Sequence, residues 1–98
     1  MTELTHQQRD KNVNSAELFA NIDKIHTTDL GVLRIKRNLN LIDVNVVDWC
    51  IDQIHKSNAM IDRRGKNWYI MINSCEITVN AYSYTIITAH RVKAIQNS

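Results

Sequence analysis

The feature that most constrains this chain is a change of hydrophobic period just after Lys56-Ser57-Asn58. Before that point apolar residues recur three and four apart; after it they alternate with polar ones. The first spacing lines one side of a helix and the second lines one face of a strand. No single element satisfies both, so the sequence predicts a helical half followed by a sheet half.

In the helical half, Leu18, Phe19, Ile22 and Ile25 share one face, which predicts a helix over about Ser15 to His26. Asn14 and Glu17 stand at capping-box spacing before it. Thr27 and Thr28 offer an N-cap to a second helix, Asp29 to Asn38, with Asp29 at the positive end of its dipole. Leu30, Leu33 and Arg37 lie on one side of that helix; Val32, Ile35 and Leu39 lie on the other. Gly31 in its first turn opposes the helix by about 1 kcal/mol relative to alanine. Asp43 is expected to cap a third helix, about Val44 to His55. Val47, Cys50, Ile51 and Ile54 form its buried stripe, with Trp49 at the edge and Asp48 and Asp52 outside.

In the sheet half, Ala59 to Asp62 is expected to be a short strand and Arg63-Arg64-Gly65-Lys66 a turn, because Gly65 takes positive φ without steric cost. Asn67 to Ile72 sends Trp68, Ile70 and Ile72 to one face and Asn67, Tyr69 and Met71 to the other. Asn73-Ser74 turns the chain into Glu76 to Asn80, with Ile77 and Val79 inward. A last strand, Tyr84 to Val92, follows a turn near Ala81 to Ser83. Its pattern leaves two faces open: Tyr84, Ile86, Thr88 and His90, or Thr85, Ile87, Ala89 and Arg91. The expected fold class is α+β, three N-terminal helices packed on one face of a three- to four-stranded antiparallel meander. Residues 1–13 lack periodicity and read as a frayed N-terminus, leaving 14–95 as a single domain.

Ninety-eight residues, 44% of them apolar, suffice for one core. The two cysteines, Cys50 and Cys75, with no apolar leader ahead of them, read as reduced thiols of a cytoplasmic protein. No apolar run reaches membrane-spanning length, so no membrane partner is expected. His6, His26, His55 and His90 show no metal-ligand spacing, and neither a metal nor another cofactor is expected. The formal charge is only +2, but its distribution is uneven. Arg34-Ile35-Lys36-Arg37, then Arg63, Arg64 and Lys66, then Arg91 and Lys93 form three basic clusters that could converge on an anion.

The segments DLGVLRIKRNLNL, VVDWC, GKNWY and ITVNAYSYTIITAH resemble a family of short bacterial proteins classed as a domain of unknown function, over roughly Leu18 to Lys93. That resemblance implies no activity. The sheet half, ending in Tyr84-Thr85-Ile86-Ile87-Thr88-Ala89-His90, is also similar to barnase–colicin–RelE-like ribonucleases. In that superfamily a late strand carries Thr, Tyr or His at the cleavage site, which here implies Thr88, His90 and Tyr84.

Metal-independent RNA cleavage needs a proton handler and cations about the phosphate. His90 has the reference pKa for the first task; Arg63, Arg64, Lys66 and Arg91 are the candidates for the second. Tyr69, Tyr82 or Tyr84 could stack on a base. RNA is therefore the leading expected partner, bound or cleaved by a toxin-like ribonuclease. The alternative is a non-enzymatic interaction or dimerisation domain whose partner is a protein, a second copy included. A winged-helix reading fares worse, because the third helix presents Asp48 and Asp52 where phosphates would lie.

Overall fold

A computed structural model describes residues 15–92. Within them the chain forms three helices and then a four-stranded antiparallel sheet in the order β1-β2-β3-β4, a meander. Asn14 and residues 1–13 lie outside the described residues.

Residues 15–20 form helix α1, which bears the fully buried Leu18. It is shorter than the apolar spacing predicts. The Asn21 side chain donates to the Glu17 carbonyl, a 3-10 turn occupies Ile22–Lys24, and Ile25 is already extended. The spacing continues because Ile25 remains in the core, now from an extended segment. That segment puts His26 in a parallel bridge with Thr85.

Helix α2 covers Asp29–Leu39 and is capped as expected: the Thr28 hydroxyl accepts from the Gly31 N–H at 3.0 Å. Ile35 and Leu39 are buried, while Leu30 and Leu33 on the opposite side are exposed. Helix α3 covers Val46–Ile54. Its cap is Asn45, whose side chain accepts from the Asp48 N–H, and not Asp43. Asp43 instead sits at φ 58° in the preceding turn. Starting later rotates the buried stripe to Val46, Cys50, Gln53 and Ile54, and Val47 and Ile51 become half-buried.

The strands are β1 (Met60–Arg64), β2 (Asn67–Ile72), β3 (Cys75–Asn80) and β4 (Ile86–Arg91). β1 runs further than expected because the turn needs only Gly65 and Lys66, with Arg64 paired to Asn67. Gly65 takes φ 60°. Asn73 and Ser74 both adopt positive φ, the condition for a two-residue type I′ turn. After β3, the Asn80 carboxamide oxygen accepts from the Tyr82 and Ser83 N–H groups and shapes the last turn.

The helices cover one face of the sheet, with α2 against β4 and α3 against β2. Trp68, Ile70, Ile77 and Val79 have no exposed surface on that face. A bulge settles the register of β4. Val79 pairs with Ile86 and Thr78 with Thr88, so Ile87 is the extra residue and turns outward, 51% exposed. Ile86 and Ala89 thereby both point inward, which strict alternation forbids.

Candidate functional site

The opposite face of the sheet is covered by no described element. Strand pairing arranges it in three rows. Arg64, Asn67 and Asn80 form the row nearest the Gly65 turn. Asp62, Tyr69, Thr78 and Thr88 form the middle row. Met60, Met71, Glu76 and His90 form the last.

Its charges are matched locally. Arg64 lies over the Tyr69 ring at 4.1 Å and bonds Asp62 at 3.2 Å. His90 Nε2 lies 3.5 Å from Glu76 Oε1, and its Nδ1 donates to the Arg91 carbonyl at 3.0 Å. Two carboxylates thus stand against one guanidinium and one imidazole. Between these pairs lie Met60, 72% exposed, the half-buried Met71 and Tyr69, and the Thr78–Thr88 pair.

The residues expected to cleave RNA are divided. Thr88 and His90 share the open face. Tyr84 does not: it is buried on the helix side, stacked on Trp68 with ring centroids 5.3 Å apart. Its backbone takes φ 61°, held by an N–H donated to Asn80 and a carbonyl accepting from His26. Burial first, and the nearby Glu17 carboxylate second, push its phenol up, against a hydrogen bond with Asn21 and the charge of Arg63.

The expected phosphate ligands are also dispersed. Arg63 faces the helix side, its guanidinium over Trp68 at 5.3 Å and Tyr82 at 5.7 Å, its Nε donating to the Gly65 carbonyl. Arg91 pairs with Cys75, an inward position, at the far end of β4. Lys66 lies in the turn beyond Arg64. Arg64 alone shares the face with His90, at the diagonally opposite corner. Three strand spacings and four residues of rise place their Cα atoms about 19 Å apart. One phosphate cannot touch both.

Glu76 and Asp62 are the face residues that sequence reasoning passed over as ligands. Alternation does put Glu76 outward, but only the bulge in β4 sets it opposite His90. Among the described residues no three His, Cys, Asp or Glu side chains gather closely enough to hold a metal ion. Among the described residues no helix is long and apolar enough to cross a membrane.

A family model described as "Protein of unknown function (DUF3781)" matches residues 19–90. The chain belongs to that family. No curated protein and no solved structure matches it. The part of the chain that matches DUF3781 includes helices α2 and α3 and every position of the three open rows, so the open face belongs to the family's domain.

Proposed function

We propose that this DUF3781 domain is a non-enzymatic interaction module that docks on another protein through the open sheet face. The observation that supports this reading is the combination of charges matched by near neighbours with the exposed Met60, the half-buried Met71 and the Thr88 side chain between them. Met and Tyr adapt to a partner surface at low cost, and a face with more carboxylate than guanidinium repels a phosphate backbone. A second copy of the chain is one candidate partner. The two unbridged, buried thiols of Cys50 and Cys75 are compatible with a cytoplasmic setting. Sedimentation velocity across a wide concentration range tests the homodimer. Photo-crosslinking from position 71, compared with position 37 on the exposed side of α2, tests a different protein. Adducts from position 71 alone are expected; equal yields from both positions refute the reading.

The Glu76–His90 pair supports a second reading, an RNA-binding or ribonuclease domain. A carboxylate 3.5 Å from an imidazole, with Thr88 on the same face, is a pair through which a proton can pass. Cations would then have to come from the RNA's own counterions, because Arg63, Arg64, Lys66 and Arg91 do not surround His90. Incubation of total RNA with the wild type and with His90→Ala decides it. Identical, intact RNA profiles remove the ribonuclease.

A further inference from the structure

The two edges of the sheet differ. On β4 several outward groups are occupied: the Ile86 carbonyl accepts from the Thr27 hydroxyl at 3.0 Å and the Ala89 carbonyl from the Asn38 carboxamide at 3.2 Å. The Ile86 N–H donates to the His26 carbonyl. On β1 no described residue occupies them. The two-residue turn makes Arg64 and Asn67 a doubly hydrogen-bonded pair, so Asp62 and Met60 also bond to β2. The N–H and C=O groups of Ile61 and Arg63 therefore point away from the sheet, and no described group bonds to them.

Beside this edge, on the helix side, lies a groove of about 480 Å³. Phe19, Ile54, Ala59 and Ile61 give it apolar walls, and His55 and Lys56 form part of its rim. Phe19 is stacked on His55 with ring centroids 5.3 Å apart. A strand hydrogen-bonded to Ile61 and Arg63 would run along this groove and direct alternate side chains into it.

We infer that the β1 edge and its groove take an extended, acidic segment of another protein by strand addition, with a bulky apolar residue in the groove. Charge selects this occupant. Between residues 56 and 66, Lys56, Arg63, Arg64 and Lys66 stand against the single carboxylate of Asp62. Glutamates flanking the apolar anchor would meet Lys56 and Lys66, which are both exposed. A second copy of β1 would bring the same cations together instead, and like charges on adjoining strands oppose pairing. This site lies at the edge of the sheet and is independent of the open-face reading.

The test uses the full chain and a labelled nine-residue peptide alternating glutamate and valine about one central phenylalanine. A lysine-for-glutamate version serves as its counterpart. Fluorescence anisotropy is expected to show saturable binding of the acidic peptide and none of the basic one, with new hydrogen-exchange protection at the Ile61 and Arg63 amides. Ile61→Pro removes an outward N–H on an edge strand, where proline is tolerated, together with one apolar wall of the groove, and is expected to weaken binding at least tenfold. The charge reversal Lys56→Glu with Lys66→Glu touches only exposed side chains and is expected to do the same, so the test survives if the proline variant does not fold. Absence of acidic-peptide binding overturns the proposal, as does undiminished binding by a folded Ile61→Pro. Protection of the Ile61 and Arg63 amides before peptide is added also overturns it, since the edge is then already filled, by a second copy if that protection grows with concentration.

Discussion

Cys50 and Gly31 show how single residues are held by neighbours that pattern does not reveal. Cys50 has no exposed surface, and burial, with Cys75 nearby, pushes its thiol from the ordinary 9.0 up to about 12. The native state therefore binds this proton more tightly than the unfolded chain does. The resulting stability is complete below pH 9 and drains away as pH rises towards 12. Urea midpoints measured upward from pH 9 should fall in the wild type and fall less steeply in Cys50→Ala; equal slopes would show that this thiol is not responsible. At Gly31 propensity and packing disagree. Alanine is favoured over glycine in a helix by about 1 kcal/mol. A Cβ there, however, would lie 2.2 Å from the Thr27 hydroxyl, which is bonded to the Ile86 carbonyl. Moving that hydroxyl costs a buried-side hydrogen bond of about 1 kcal/mol as well as the clash. Gly31→Ala should therefore lower the thermal midpoint despite its better propensity. The glycine that counts against α2 in the sequence is what lets the helix approach Thr27.

Elements were legible where their signals are local. The Thr28 cap of α2 and the Asn73-Ser74 turn are written in adjacent residues, and both occur as read. Thr28→Ala, which removes the oxygen that accepts from Gly31, should cost about 1 kcal/mol by chemical denaturation, and Thr28→Ser very little. Elsewhere a competing neighbour won. Asn45 displaced Asp43 as the cap of α3, because Asp43 is drawn into a left-handed turn after Asn40. α1 stopped early because His26 is recruited to the outer edge of the last strand, where it bonds Tyr84 and Ile86. The last strand could not be assigned a face because its pattern contains an extra residue. Only the pairing with β3 identifies Ile87 as that residue.

At the scale of the molecule the described helices cover one side of the sheet only, and substitutions should report this. Ile77→Ala, at a fully buried position under the helices, should cost about 2–5 kcal/mol. Met71→Ala, between Met60 and Glu76 on the open face, should cost less than half as much in the same urea titration. Similar losses at both positions would mean that the open face is covered. The sequence alone determined the order of helix and strand, the α+β class, and the inward face of β2 and β3, because each follows from local period and steric preference. It also named Thr88 and His90 as neighbours on one strand. Only the tertiary structure decided what those residues face. Pairing put Glu76 beside His90, sent Arg63 and Arg91 to the helix side, set Arg64 at the far corner and left β1 as an edge that no described residue pairs. Those outcomes depend on strand register and on which backbone groups find partners. Both are properties of segments brought together from distant parts of the chain, which no local pattern encodes.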